Sequence, residues 1–472
     1  MATTENLSLQ QSQVLDPADA DSRPRESRTT KLCVLVGSGI LQLPIWGFGM
    51  SYGVFQEYYS NNWTFAGDRS ITGVIGTTAN GVMYLSMPFL FALFTRRWAH
   101  RRRLAALCGT AMACASFLLS SYSRTITHLL ATQGVTSALG CALIYSTTTL
   151  SLGEWYSTSG SNRAIAYGIV LSCKNIVGTA CPFLIRALID AYGYQRTVQA
   201  WAAIVGGTSL LGILMTPTHP STASVHRTRA RKIPWHFLRH RSIYFYSSAI
   251  IFQSSGYGIP QTYLGSYAKD IALLSGASGT LLLAVFNTPG IVSSIFFGWL
   301  SDNQRFRLNT QTVAAIPPIA SAIATLLFWG LTTPGNIGLL VVFSITFGFF
   351  SGGYSATWGG MLKQMERESA ERNEAIDSGM LYGLLNGVRG IGYASGGFAS
   401  VGLLKAGVVP ASSRFGYGTV YGPLILFTAL SSVLGGWVVL WRWDLRRLLL
   451  SVTQIAEIYQ AVDTRLVSLT ED

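Results

Sequence analysis

Apolar residues run through this chain in long unbroken stretches, not at the two-residue or 3.6-residue spacing that a half-buried strand or surface helix requires. Stretches of about 20 residues, enough helix to cross roughly 30 Å of hydrocarbon, recur twelve times. They cover 32–58, 71–94, 104–122, 126–152, 164–188, 198–215, 243–265, 280–300, 312–331, 337–358, 378–404 and 422–441. Lipid offers a bare backbone no hydrogen-bond partner, so each stretch is predicted to be helical. The expected class is an all-α membrane protein with twelve transmembrane helices.

Polar segments between the stretches set the orientation. With the N-terminus inside, the short loops on that side hold 17 Lys and Arg against 6 in the opposite loops, which places both termini in the cytosol. Residues 1–31 lack a cleavable signal and are expected to form a disordered cytosolic tail, with 442–472 as the second tail. The longest connection, 216–241, carries Pro217, Pro220, Pro234 and a basic cluster. It divides six stretches from six, giving halves at 32–215 and 242–441 joined by a linker suited to anionic lipid headgroups.

Composition narrows the class. Of 472 residues 49% are hydrophobic and 12% charged, about half the charge of a soluble chain. The net charge of +13 would point a soluble protein towards nucleic acid; here its placement in loops points to the bilayer, and no nucleic-acid partner is expected. No GxxxxGK[ST] loop supports an ATP-driven pump. Absence of HExxH, GxSxG and any Cys/His cluster argues against an enzyme, a metal site or a cofactor. Many of the 49 glycines fall inside stretches, as close-packing positions or as hinges; stretch 378–404 is dense enough to be a bending gate.

Two buried cations carry the candidate chemistry. Tyr167-Gly168 is followed by Lys174, and Tyr382-Gly383, in the equivalent stretch of the second half, is followed at the same distance by Arg389. A charge at bilayer depth costs about 2.5–3.5 kcal/mol and therefore faces a cavity or a partner. No carboxylate is available at that depth: Glu57, Glu154 and Asp190 sit near stretch ends, and Asp377 precedes Arg389 by about 18 Å of helix. The missing anion is then the substrate, a carboxylate held bidentately by Arg389 with Lys174 as point charge or proton-exchanging amine. Snorkelling or backbone carbonyls are the structural alternative. Tyr145, Asn175, Tyr257, Gln261, Tyr263, Asn287, Tyr354 and Asn386 supply a polar wall, with Asn287 and Asn386 deepest. Arg186 and Asp190, four residues apart, are expected to pair locally. Asn62-Trp63-Thr64 is a glycosylation sequon in the first outer loop.

Several stretches, in order, resemble the major facilitator superfamily and its fungal monocarboxylate-transporter-like branch. They are W-G-F-G-M-S-Y-G-V-F-Q-E-Y-Y from Trp46, Gln133-Gly134 through Trp155, Arg163 to Gly168, G-Y-G-I-P-Q-T-Y-L-G-S-Y from Gly256, and Gly387 to Gly392. The resemblance implies two six-helix repeats with a substrate site between them near midplane. Gly298-Trp-Leu-Ser-Asp302 with Arg305 resembles the superfamily's cytosolic loop motif, which implies a gating role for Asp302 and Arg305. Animal lactate carriers of the family keep a lysine, an aspartate and an arginine where Met50, Gly290 and Ser294 stand here, so their proton mechanism does not carry over.

The function expected is a secondary active, alternating-access transporter of a small organic acid or carboxylate-bearing metabolite, driven by a solute or proton gradient and working as a monomer. The alternatives are export of a fungal secondary metabolite, neutral ones included, and a nutrient sensor signalling through 216–241. The expected location is the cell membrane, with the vacuolar membrane as the alternative.

Overall fold

The computed structural model describes residues 28–62, 65–68, 71–156, 160–218, 238–302, 308–374, 378–407 and 415–442. Residues 1–27 and 443–472 of the predicted tails, 219–237 of the predicted linker and Arg305 lie outside them, whereas residues 28–31, expected in the disordered tail, form the first turn of a helix. Helix accounts for almost everything described. In chain order the helices are α1 Arg28–Asn61, α2 Thr72–Thr95, α3 Ala99–Ser120, α4 Ile126–Trp155 and α5 Gly160–Met215. Then come α6 Arg241–Asp270, α7 Gly276–Ser301, α8 Thr310–Trp329, α9 Ile337–Glu371, α10 Ser378–Lys405 and α11 Gly422–Leu440.

Nine of these are long and apolar enough to cross a membrane. The other two, α6 and α10, are 30 and 28 residues long, sufficient in length but richer in polar side chains. The 56-residue α5 is not one rod, because Gly193 at φ +72° interrupts it. That left-handed conformation is cheap only for glycine, and it divides α5 into two arms where the sequence predicts two crossings.

Hydrogen bonds gather the chain at two opposite ends. Tyr156 Oη donates to the Lys31 carbonyl (2.9 Å) and Trp155 Nε1 to the Pro217 carbonyl (3.0 Å), defining a tail face. On the same side Trp437 Nε1 donates to Ser248 Oγ (3.2 Å) and Ser242 Oγ to Glu368. At the far face the loop after α1 meets the start of α4, with Ile126 N donating to the Ala66 carbonyl at 3.1 Å.

Glycines let backbones touch between these ends. A Cβ at Gly390 would lie 2.7 Å from the Gly81 carbonyl oxygen of α2, and one at Gly396 2.0 Å from the Ser255 carbonyl oxygen of α6. Helix α10 is thus wedged between α2 and α6, and these glycines serve close packing. Near the far face a single buried cluster runs from α1–α5 into α6–α11, through Tyr52, Phe55, Tyr263, Leu283 and Phe286. At the tail face the core divides into Val34, Leu152, Trp155 and Val170 on one side and Ile243, Tyr246, Met361 and Leu381 on the other. The gap between those two clusters leads to a cavity.

Candidate functional site

The cavity, about 40 Å³ of water-accessible space in this conformation, draws its walls from α1, α2, α4, α5, α9 and α10. Lys174, Arg389, Asn386 and Tyr145, far apart in sequence, all line it. Helical periodicity explains part of this convergence. Tyr167 and Lys174 are seven residues apart on α5, as are Tyr382 and Arg389 on α10, two turns that bring each pair to one face; all four line the cavity.

Arg389 is 4% exposed. Its guanidinium carbon lies 5.2 Å from the ring centre of Tyr84, 5.4 Å from Tyr257, 5.6 Å from Trp358 and 5.7 Å from Tyr393. Ring faces stabilise a cation without neutralising it, and Nε has no hydrogen-bond partner. Lys174 Nζ sits 4.0 Å from the ring centre of Trp46. That indole is fixed from its own helix: Trp46 Nε1 donates to Gln42 Oε1 (3.0 Å), and Gln42 Nε2 to the Ser38 carbonyl (2.9 Å). Among the described residues no aspartate or glutamate lines the cavity. Among the described residues the two cations therefore face it in the company of aromatic faces and neutral dipoles.

Other predicted residues go elsewhere. Asn386 lines the cavity while donating to the Tyr382 carbonyl of its own helix (2.8 Å). Asn287 points away, donating to the Gly178 carbonyl of α5 (3.0 Å) and the Leu283 carbonyl (2.9 Å), which makes it a strap between α7 and α5. Tyr263 shares a hydrogen bond with Ser400 (3.1 Å) and covers Gly73 of α2, outside the cavity and towards the far face. Asn175 Nδ2 donates to Ser294 Oγ (3.4 Å) and abuts Gly290, so the positions where lactate carriers hold charge form neutral packing here. Asn62 is exposed at the end of α1, and the rest of its sequon lies outside the described residues. So does Arg305, as does the side chain of Asp302.

The expected Arg186–Asp190 pair is corrected. Arg186 Nη2 donates instead to Glu57 Oε2 of α1, a carboxylate only 4% exposed, and Nε donates to Thr280 Oγ1 of α7 (3.1 Å). Asp190 is exposed; the buried Glu57 carboxylate needs a partner and takes the cation. Gly276, whose carbonyl lies 3.4 Å from Nη2, and Lys269, with Nζ 4.0 Å from Glu57, extend this knot into α7 and α6. Lys405 and Asp68 pair at 2.7 Å between α10 and the α1–α2 loop. Tyr52 Oη donates to the Thr72 carbonyl in the same region. At the far face Arg186–Thr280, Lys269–Glu57 and Lys405–Asp68 tie the two helix sets together, whereas Glu57–Arg186, like the described ion pairs of the tail face, Arg102–Glu154 and His240–Glu374, stays within one set.

Sequence reasoning missed Trp46, Tyr84, Trp358, Tyr167 and Tyr382 as cavity walls. A usable signal existed for two of them, since Tyr167 and Tyr382 belong to the internal echo that singled out the cations. Trp46, Tyr84 and Trp358 carried no mark separating them from core aromatics.

Known proteins resemble the chain in sequence and fold. The sequence profile of the Major Facilitator Superfamily matches residues 34–397. An MFS-type transporter of Gibberella moniliformis is 26% identical over 317 residues, covering 65% of this chain and 71% of its own. Human monocarboxylate transporter 12 is 25% identical over 283 residues, and the chain spans only 54% of its length. The MFS-type transporter pynF of Aspergillus niger is 21% identical across 88% of this chain and 90% of its own. Among solved structures, a variant of the nucleoside transporter NupG superimposes with a TM-score of 0.65 at 16% identity, covering 86% of this chain and 98% of that one. With the superfamily profile spanning most of the chain and a shared fold in agreement, this protein belongs to the Major Facilitator Superfamily and is a multi-pass membrane transporter, not an enzyme.

Proposed function

We propose that the protein is a secondary active transporter of a small organic acid, working by alternating access around the Lys174/Arg389 cavity. The observation that carries this reading is Arg389, 4% exposed with an unpartnered Nε in a cavity that no described carboxylate lines. A desolvated guanidinium gains most from a bidentate anion, and a carboxylate arriving from water supplies it. On this reading α5 crosses twice about Gly193, and α6 and α10 cross as well, making twelve crossings in halves 32–215 and 242–441 joined by 216–241. The tail face is cytosolic, so the cavity opens inward while the Glu57–Arg186 knot closes the outside. Asp302 and Arg305 hold the loop that gates the inner face.

The test is mass-spectrometric profiling of solutes entering proteoliposomes, with and without a pH gradient. Loss of one partner from a buried charge-assisted pair costs about 2–5 kcal/mol, so Arg389→Gln should cut carboxylate uptake at least ~30-fold at low substrate, and Arg389→Lys should recover only part of it. Accumulation of neutral solutes equally in both proteins would replace this reading with export of an uncharged metabolite. Binding without flux would make the protein a sensor.

A further inference from the structure

The cavity is lined by more aromatic surface than a small aliphatic acid can use. Trp46, Tyr84, Tyr145, Tyr167, Trp358 and Tyr382 contribute to one wall system, drawn from both helix sets. Trp46 stands apart among them because its orientation is fixed and its face is occupied. The Gln42 hydrogen bond fixes the indole edge, Tyr84 and Tyr145 pack against it at ring separations of 5.4 and 5.5 Å, and the Lys174 ammonium lies 4.0 Å over the ring. A carboxylate is a stronger partner for an ammonium than a ring face is. An acid binding at Arg389 and Lys174 therefore draws the ammonium off Trp46 and leaves an indole face to be covered. Water covers it poorly; a planar ring covers it by stacking. Resting on the carboxylate reading above, we propose that the cavity takes acids bearing a planar aromatic ring, and that Trp46 is the specificity-determining residue, exchanging its contact with Lys174 for one with the substrate ring.

Three ligands of nearly equal size separate the claims when titrated calorimetrically into the purified full-length protein. Benzoate has ring and charge, cyclohexanecarboxylate has charge without a planar ring, and benzamide has the ring without charge. The expected result is benzoate binding about 10-fold or more tighter than cyclohexanecarboxylate, with benzamide weakest. Trp46→Leu should bring the ratio of the two acids to about one, while Trp46→Phe keeps most of it. Equal binding of the two acids to the unaltered protein overturns the ring proposal and leaves the carboxylate reading standing, and this comparison needs no variant to fold. Benzamide binding as well as benzoate overturns the carboxylate reading itself, and with it the proposal built on it. No binding by any of the three overturns the ring proposal as well.

Discussion

Replacing Glu57 by glutamine should unlatch the far face. In the closed arrangement Glu57 is 4% exposed and Arg186 18%, and Arg186 also reaches Thr280 and the Gly276 carbonyl of α7. Removing one partner of a buried pair costs about 3–5 kcal/mol. A glutamine oxygen still accepts one bond from Arg186 and some water reaches the guanidinium, which reduces the cost to roughly 2–3 kcal/mol. Lys269 adds little, being 42% exposed and 4.0 Å away. Once the far face opens, water surrounds the same pair, whose loss then costs under about 1 kcal/mol. The difference, about 2 kcal/mol against the closed state alone, shifts the closed-to-open ratio ~30-fold. Double electron–electron resonance can read this from spin labels at Tyr192→Cys on α5 and Ala277→Cys on α7, both exposed, in a background with the six native cysteines replaced. Glu57→Gln should move the population to longer distances, and Glu57→Gln with Arg186→Gln should restore much of the closed state because no orphaned cation remains. An unchanged distance distribution in Glu57→Gln would refute the view that this knot holds the far face shut.

Two further outcomes follow from the packing and the topology. A Cβ at Gly348 would stand 2.0 Å from the Phe286 carbonyl oxygen, so Gly348→Ala should destabilise by about 1–3 kcal/mol and lower the thermal midpoint in detergent. Gly402→Ala, with nothing within 4 Å, should match or exceed the parent; equal behaviour of both would contradict the α7–α9 contact. Asn62 lies at the end of α1 on the far face, so expression in a glycosylating host should give a one-glycan mobility shift removable by glycosidase and lost in Asn62→Gln, whereas modification at Asn6 of the Asn6-Leu7-Ser8 sequon in the N-terminal tail would invert the proposed orientation.

Membrane class, helical content and family were legible in the sequence because they depend on one-dimensional quantities: the length of apolar runs, their spacing, and short motifs in order. The two cations that line the cavity were legible for a related reason, since the cost of burying a charge follows from position along an apolar helix. Lateral neighbours are not encoded that way. Arg186 had Asp190 one turn along its own helix, yet its partner is Glu57, 129 residues away, because burial of the carboxylate decides where the cation is needed. Asn287 and Tyr263 had the same residue types as true cavity walls, and rotation about the helix axis sent them to the Gly178 carbonyl and to Ser400. Trp46 came to lie beneath Lys174 only through the packing of α1 against α5. Hydrophobic runs determine which segments enter the bilayer; which faces then meet depends on close contacts such as those at Gly390 and Gly396, where removal of a single Cβ lets two backbones touch, and only the tertiary structure contains them.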